Sequence, residues 1–285
     1  MPLPATFDLM DFIRRTLGED LGQGGDVTSK AVIAEDARFT AEMNARQELV
    51  VAGIEIAAGF FRMLDGNVGI ERLVEDGARV VPGTTLMRLA GSARAMLAAE
   101  RSALNTLQHL SGIATLTRGY VDAIAGTGAT LIDTRKTIPG LRSLEKYAVR
   151  MGGAENHRLR LDDGVLIKDN HVAVAGGVAE AVRRAREANT GLQVQVEVDR
   201  IDQIEPALAA GADRLLLDNM DPAMLREAVK LVAKRVPLEA SGGVTLETIR
   251  FIAETGVDFI SVGRITQSAP AVDIGLDYSV GLSNS

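Results

Sequence analysis

The chain has 285 residues, of which 46% are apolar and 24% are charged, the proportions of an ordinary globular protein. This composition excludes a disordered chain, a fibrous repeat and a membrane protein, and the net charge of −7 argues against a general nucleic-acid binder. The absence of cysteine excludes disulfides, thiolate metal sites and a cysteine nucleophile, and it fits a reducing cytoplasm. Acidic residues precede the first basic one, so no signal peptide is expected. We expect a cytoplasmic protein without membrane or nucleic-acid partners.

The first part of the chain predicts a small domain of mixed helices and strands. Helices are expected at residues 7–17 and near 54–64, and residues 22–29 are expected to form a loop. Strand-like runs lie at residues 39–43, 68–74 and 85–89. A long helix is expected from about residue 93 to 124, with a break near Ser111-Gly112.

From residue 130 onward, short β-rich runs alternate with helical stretches. These runs end, in order, at Asp133, Lys168, Glu197, Asp218, Ser241 and Gly263. The last four ends are separated by 21, 23 and 22 residues, a repeat typical of βαβ units in a parallel sheet. Six strands are fewer than the eight of a closed barrel, so we expect an open α/β barrel.

The carboxyl ends of barrel strands point into one mouth, so these polar ends predict a single site there. A polar end on one strand is ordinary. A charge directly after a buried run, as at Lys168 and Asp218, is costly unless it is paired or used. The set of six ends therefore favours a functional site.

A basic cluster lies between the first two strand ends. Arg135-Lys136 and His157-Arg158 flank strand ends and glycine turns, and they favour a substrate with several negative charges, because arginine binds carboxylate or phosphate with two hydrogen bonds. The other basic residues are expected on a solvated, salt-bridged helical surface: Arg142, Lys146, Arg150 and Arg160.

Two further features favour phosphate and sugar chemistry. Ser241-Gly242-Gly243 and Gly263 place glycine turns after successive strands, where backbone N–H groups can approach a phosphate. Glu197 and Asp218 end adjacent strands and could hold Mg²⁺, ribose hydroxyls or a developing positive charge. The neighbouring acids at 162 and 163 are expected in a solvated turn.

At this point the residues resemble a known family, that of quinolinate phosphoribosyltransferases. The segments that carry the resemblance are GDVTS (25–29), ERSALNTLQHLSGIAT (100–115), DTRKTIPGLRSLEKYAV (133–149), ENHRLRL (155–161), LIKDNH (166–171), LLLDN (215–219), EASGGV (239–244) and GVDFISVG (256–263). The resemblance implies an N-terminal α/β sandwich domain, residues 1–112 joined by the C-terminal segment 270–285, and an open α/β barrel over residues 113–269.

The resemblance also implies a reaction, with Mg²⁺, in which quinolinate and phosphoribosyl pyrophosphate give nicotinate mononucleotide, pyrophosphate and CO₂ for NAD biosynthesis. By motif, the quinolinate carboxylates would be bound by Arg135, His157, Arg158, Lys168 and, from the partner subunit of a homodimer, Arg101. Lys136 would meet the pyrophosphate, Glu197 and Asp218 would serve the ribose, the metal and the transition state, and Ser241, Gly242 and Gly263 would hold the 5′-phosphate. Glu197, Asp218, Lys136 and Lys168 are the expected catalytic residues. Further assembly of the dimers is left open.

One departure and three alternatives accompany this interpretation. Ala154 stands where the family pattern has a third glycine, so a left-handed conformation there would be strained. The alternatives are a phosphosugar lyase or isomerase on the same fold, a phosphometabolite-binding protein without activity, and a relative of this fold associated with molybdenum transport. A lyase has no evident need for four cations, and a binding protein has no use for Glu197 and Asp218.

Overall fold

A computed structural model describes residues 7–279, which form two compact units. The first unit contains residues 7–116, 143–153 and 269–279, and the second contains residues 117–142 and 154–268. Residues 143–153, which the sequence analysis assigns to the barrel, thus lie with the first unit. Residues 1–6 and the part of the C-terminal segment from 280 to 285 lie outside the described residues. No helix within 7–279 is long and apolar enough to cross a membrane.

Helices and strands are mixed irregularly in the first part of the chain and largely alternate from residue 130 onward. In the first part they are α1 (Leu9–Leu21), α2 (Val27–Val32), β1 (Arg38–Ala45), β2 (Leu49–Val50), α3 (Ile54–Leu64), β3 (Gly69–Arg72), β4 (Arg79–Val80), β5 (Thr85–Ser92) and α4 (Ala93–Ala123). They continue with β6 (Thr130–Ile132), α5 (Arg142–Met151), β7 (Val165–Ile167), α6 (Asp169–Ala175), α7 (Val178–Glu187), β8 (Val194–Val198), α8 (Ile204–Ala209), β9 (Arg214–Asp218), α9 (Pro222–Val232), β10 (Leu238–Ser241), α10 (Ile249–Ala253), β11 (Phe259–Ser261), α11 (Arg264–Gln267) and β12 (Ile274–Ser279).

The first unit is built on an antiparallel sheet with strand order β12-β1-β5-β3, beside a small β2–β4 pair. In β1 the alternate residues Ala41, Met43 and Ala45 are buried, which gives the sheet one apolar face. Helix α3 contributes Phe60 and Phe61 to the core. The predicted helices near 7–17 and 54–64 and the three predicted strands are confirmed.

The expected loop at residues 22–29 is wrong at its end, because helix α2 begins at Val27. The side chain of Asp26 accepts a hydrogen bond from the backbone N–H of Ser29 and another from its hydroxyl, which satisfies free donors of the first helical turn. The motif GDVTS is therefore a helix start.

The expected break in α4 is also wrong, because the helix runs without interruption through Ser111 and Gly112. Ser111 is buried and accepts a hydrogen bond from the backbone N–H of Ala52 at 3.0 Å. A Cβ atom at position 112 would lie 2.1 Å from the carbonyl oxygen of Pro270. The glycine therefore permits a close approach of two backbones and does not end the helix.

The second unit contains the predicted six-stranded parallel sheet, in the order β6-β11-β10-β9-β8-β7. Its strands are short and apolar because helices cover them. β6 and β7 follow each other in sequence but lie at opposite edges of this order, so the barrel is open between them. The open α/β barrel with a smaller N-terminal sheet domain is thus confirmed.

Helix α5 corrects one expectation about the basic residues. Lys146 is only 2% exposed, so the predicted solvated surface is wrong for this residue. Beside it the buried Glu145 lies 3.0 Å from Nε2 of His109. Amphipathic periodicity places both residues on the covered face of the helix. Arg160, in contrast, is exposed and pairs with Asp162 as expected.

The two glycines of α4 give a direct test of this packing. Gly112→Ala should destabilise the protein by about 1–3 kcal/mol, because its methyl group would overlap the backbone at Pro270. Gly119→Ala is the matched control: its Cβ would meet Leu246 at an ordinary 3.9 Å, and it should stabilise the helix by about 0.5–1 kcal/mol. Urea unfolding followed by circular dichroism measures both changes. Equal effects of the two substitutions would contradict the close approach.

Candidate active site

A cavity of about 710 Å³ opens at the carboxyl ends of the parallel strands, entirely within the second unit. Ten of the eleven predicted site residues line it: Arg135, Lys136, His157, Arg158, Lys168, Glu197, Asp218, Ser241, Gly242 and Gly263. The eleventh, Arg101, lies exposed on α4 and is not one of the lining residues. The predicted convergence of strand ends is therefore present.

One wall of the cavity carries two arginines, Arg135 and Arg158, whose hydrogen-bonding capacity is not fully used. The Nε atoms of Arg135 and Arg158 are buried and make no hydrogen bond within the described residues. Arg158 donates from Nη1 to the carbonyl oxygen of Gly164 at 2.8 Å. Burial and, after it, the charge of Arg135 lower the pKa of Arg158. Two partly buried cations that repel each other are costly, and an anion in the cavity would relieve that cost.

The segment that carries His157 and Arg158 lies beside β6, on the open side of the sheet. Ile132 of β6 forms a parallel bridge with Glu155. Asp133 is fully buried and accepts hydrogen bonds from the side chain of Asn156 at 2.7 Å and from the backbone N–H of His157 at 2.8 Å. Asp133 therefore holds the segment in place and does not line the cavity, so the prediction that it contributes to the site at the strand ends is wrong.

The substitution of glycine by Ala154 is accommodated in this segment. The left-handed conformation falls on Gly153, with φ of +95°, and Ala154 has no positive φ. Ala154 is buried against the barrel. No backbone strain therefore arises from the methyl group.

The predicted carboxylates lie at the opposite wall. Glu197 accepts a hydrogen bond from Nζ of Lys168 at 3.3 Å. Asp218 accepts one from the side-chain amide of Asn219 at 2.6 Å. Burial raises the pKa of Asp218 above its ordinary value, although Lys168 and Lys136 act in the other direction. The ionised Asp218 is therefore less stable than in water, which suits a group that meets positive charge from a ligand.

The glycine turns have the geometry of a close-approach loop. Gly242 has φ of +96°, and a Cβ there would lie 2.1 Å from Oδ1 of Asn219. At Gly263 a Cβ would lie 2.7 Å from Cδ of Lys136. Neither position has room for a larger residue, because a neighbouring side chain packs directly against each glycine, and both glycines line the cavity.

No group of three or more His, Asp or Glu side chains that could hold a metal ion occurs within residues 7–279. Glu197 and Asp218 are the predicted metal ligands. Two carboxylates suit Mg²⁺, which binds one or two protein carboxylates and completes its shell with water and substrate phosphates. The donor set therefore fits a metal that arrives with a phosphorylated substrate.

Sequence analysis missed three polar residues: Glu239, which lines the cavity, and Gln195 and Arg214, which lie behind it on neighbouring strands. Glu239, only 1% exposed, lies 2.8 Å from Nη2 of Arg214 and accepts a hydrogen bond from Gln195 at 2.7 Å. Burial acts to raise the pKa of Glu239, but the hydrogen bond from His157, the charge of Arg214 and the hydrogen bond from Ser261 outweigh it and lower the pKa. The missed signal is the period of two: Gln195 precedes Glu197 by two residues, and Glu239 precedes Ser241 by two.

Comparison with known proteins places the chain in one family over most of its length. The family model for the quinolinate phosphoribosyl transferase N-terminal domain matches residues 26–111, and the model for the C-terminal domain matches residues 113–277.

Curated relatives and solved structures agree with this match. A carboxylating nicotinate-nucleotide pyrophosphorylase of Mycobacterium leprae is 46% identical over 94% of this chain and 96% of its own length. A Bacillus subtilis protein named as a probable enzyme of the same kind is 43% identical over 93% of this chain and 91% of its own. The nicotinate-nucleotide pyrophosphorylase structure from Francisella tularensis superposes with a TM-score of 0.91 at 41% identity, over 95% of this chain and 96% of that one. This chain belongs to the quinolinate phosphoribosyl transferase family.

Proposed function

We infer that the protein transfers the phosphoribosyl group of phosphoribosyl pyrophosphate to quinolinate and releases CO₂, forming nicotinate mononucleotide and pyrophosphate. The observation that carries this function is the pair of buried, unpartnered Nε groups of Arg135 and Arg158 in the cavity wall. The names of the relatives support the same reaction. The protein is thus a phosphoribosyltransferase of NAD biosynthesis.

The arginine wall suits a small dicarboxylate. Each guanidinium can bind a carboxylate with two hydrogen bonds, and Lys168 adds a third cation at the same mouth. Adjacent carboxylates on one ring can meet adjacent arginines without any movement of the backbone. We assign quinolinate to this wall, with Arg135, Arg158 and Lys168 as its ligands and His157 as part of the same pocket.

The glycine turns suit the phosphorylated sugar. Ser241, Gly242 and Gly263 are assigned to the 5′-phosphate because they line the cavity in turns after successive strands, where backbone N–H groups can bind an anion. Lys136, whose side chain passes Gly263, is assigned to the pyrophosphate. The two substrates then meet in one cavity, whose volume lies within the usual range for a ligand site.

The chemistry follows from this placement. The pyridine nitrogen attacks C1 of the ribose, the bond to pyrophosphate breaks, and both electrons leave with the pyrophosphate. Holding the two reactants in contact removes most of the entropic barrier. Glu197 and Asp218 stabilise the positive charge that develops on the sugar. The quaternised ring then accepts the electrons of the adjacent C–CO₂ bond, and the carbon takes a proton after CO₂ leaves.

Magnesium is the proposed cofactor. Glu197 and Asp218 would hold it, and it would neutralise charge on the pyrophosphate as that group leaves. Lys168 binds Glu197 in the free protein, so it holds one ligand in place before any metal arrives.

The alternatives fit the cavity less well. A phosphosugar lyase or isomerase gives no use to two unpartnered arginines beside a lysine. A binding protein without activity gives no use to Asp218, whose burial is unfavourable for its charge. The molybdenum-associated relative is an outcome of the assay below, and the cytoplasmic location stays a prediction.

We further propose a homodimer in which Arg101 of one subunit completes the dicarboxylate site of the other. Arg101 is exposed on α4 and makes no hydrogen bond or ion pair within the described residues. A long cation that is free on one chain can serve a second chain across a two-fold interface.

The wild-type protein with quinolinate, phosphoribosyl pyrophosphate and Mg²⁺ should release nicotinate mononucleotide and CO₂ in equal amounts, and nicotinate should be a poor substrate. Arg158→Met should weaken quinolinate binding by about 10–150-fold, because it removes a charged hydrogen-bond pair worth about 1.5–3 kcal/mol. Chromatography of the nucleotide and trapping of labelled CO₂ measure the products.

Arg160→Met is the matched control, since Arg160 lies two residues along the same segment, pairs with Asp162 and does not line the cavity. It should leave both substrate KM values unchanged. Absence of product with quinolinate, while phosphate ligands still bind, would overturn the proposed function.

Asp218→Asn should raise stability while it lowers activity by about 10²–10³-fold. The folded-state pKa of Asp218 is raised above 3.8, so the folded protein favours the protonated carboxyl group. The stability that this preference gives is fully present below pH 3.8 and is lost as the pH rises through the folded pKa. At pH 7 the Asn variant should therefore have the higher Tm, and this difference should vanish below pH 3.8. Asp221→Asn, which keeps the cap of α9, should change neither quantity. A lower Tm for Asp218→Asn at pH 7 would contradict the assigned cost.

The dimer proposal predicts complementation between two inactive variants. Mixing Arg101→Ala with Lys168→Ala under conditions of subunit exchange should restore about a quarter of the wild-type activity, because half of the dimers are mixed and each has one intact site. If Arg101 acted within its own chain, every site of a mixed dimer would carry one of the two substitutions, and mixing would restore no activity. No recovery, with subunit exchange verified by mass spectrometry, would therefore reject the shared site.

A further inference from the structure

A buried carboxylate, Glu239, lies in the lining of the same cavity as the two arginines. Oε2 of Glu239 is 2.8 Å from Nη2 of Arg214, 2.7 Å from Nε2 of Gln195 and 3.5 Å from Nε2 of His157. The Arg214 guanidinium also stacks over the ring of Phe259, 3.9 Å from its centroid. These residues form one polar network inside the sheet.

This carboxylate is opposed to the function of the two arginines. A negative charge close to a dicarboxylate site weakens anion binding, and burial of an ion pair is often no more stabilising than apolar packing. Glu239 therefore needs a role that an apolar residue cannot fill. Its partners Gln195, Arg214 and Ser261 lie on strands of the sheet, whereas His157 lies on the segment beside β6 and lines the cavity.

The contacts of His157 define its protonation pattern. Its Nδ1 accepts a hydrogen bond from the backbone N–H of Arg158 at 2.7 Å. In the neutral ring the proton must then be on Nε2, which donates to Oε1 of Gln195 at 3.1 Å and faces Glu239. Gln195 is oriented by the same pattern, since its amide nitrogen donates to Glu239.

Through this ring the network reaches the arginine wall. Asp133 fixes the backbone N–H of His157, and the ring of His157 fixes the backbone N–H of Arg158. The guanidinium of Arg158 is then held by Gly164, with its Nε buried and free at the cavity. Loss of the Nε2 acceptors would free the ring to rotate or to change tautomer, and the Arg158 backbone would lose its partner.

We propose that Glu239, together with Arg214, is a positioning residue that holds His157 as the Nε2–H tautomer and thereby orients Arg158 for the dicarboxylate. The quinolinate part of this inference rests on the proposed function. The tautomer part concerns the free protein and stands without it.

The first arm of the test is nuclear magnetic resonance of ¹⁵N-histidine-labelled protein without substrates. The chain has three histidines, and replacing His109 and His171 in turn with Gln assigns the signals. The wild type should show His157 as one tautomer with its proton on Nε2. In Glu239→Leu/Arg214→Met, where the ion pair is replaced by apolar side chains, the two tautomers should both be populated. This double variant is chosen because apolar replacement of a buried pair often preserves folding, whereas a single substitution leaves one charge unpaired.

The second arm is calorimetric binding of quinolinate without phosphoribosyl pyrophosphate. The double variant should bind quinolinate about 10–100-fold more weakly, by analogy with the loss seen when the partner that orients a metal-binding histidine is removed. Its affinity for phosphoribosyl pyrophosphate should change by no more than about twofold. In Glu239→Gln the amide oxygen can still accept hydrogen bonds, so this variant should retain most of the quinolinate affinity, although the unpaired charge of Arg214 makes it less stable than the wild type.

Glu145→Gln is the matched control. Glu145 is also a buried carboxylate that contacts a histidine, His109, but it does not line the cavity. It should leave quinolinate affinity unchanged. A single Nε2–H tautomer and undiminished quinolinate affinity in the folded double variant would overturn the positioning role. Failure of the wild type to bind quinolinate would instead overturn the proposed function, and the tautomer comparison would still decide the role of Glu239.

Discussion

The site depends on the gap between β6 and β7. Six parallel strands leave the edge of β6 without a neighbouring strand, and the backbone groups on that edge need partners. Residue Glu155 provides them by bridging to Ile132, and Asp133 then binds the next two residues of the segment. The open barrel therefore supplies both the mouth and the anchor for the residues that line one wall of it.

The charged residues around this site differ in their burial and in their partners. Within residues 7–279, Arg135 and Arg158 have no hydrogen-bond partner at Nε, and the carboxylate Glu239 is buried in the lining of the same cavity. A carboxylate that paired with these two arginines would compete with an anionic substrate. Glu239 instead pairs with Arg214, so Arg135 and Arg158 remain available to a ligand.

The sequence predicts the positions of the strand ends because a switch from apolar to polar residues marks the place where a buried strand leaves the core. That rule locates Lys168, Glu197 and Asp218. It fails for Asp133, because this side chain accepts a hydrogen bond from the backbone of His157, which follows β6 in the chain after helix α5. It also fails for Lys146 and Glu239, which are charged residues inside elements and are tolerated there by partners that no local pattern identifies. The spacing of the strand ends alone predicts that these residues meet in one site, whereas their individual roles come from the resemblance to the family.

The same features that prepare the cavity for substrates make the free protein less stable than it could be. Arg135 and Arg158 hold neighbouring charges in a desolvated wall, and burial opposes the ionisation of Asp218. These unfavourable terms are present in the free protein and smaller in the ligand-bound protein, because bound anions contact the arginines and a positive charge contacts Asp218. Ligands that relieve them bind the folded state alone and shift the folding equilibrium toward it. Burial of the apolar core of the sheet offsets this loss of stability. The strands therefore stay in place although charged residues at their ends lack favourable partners until a substrate binds.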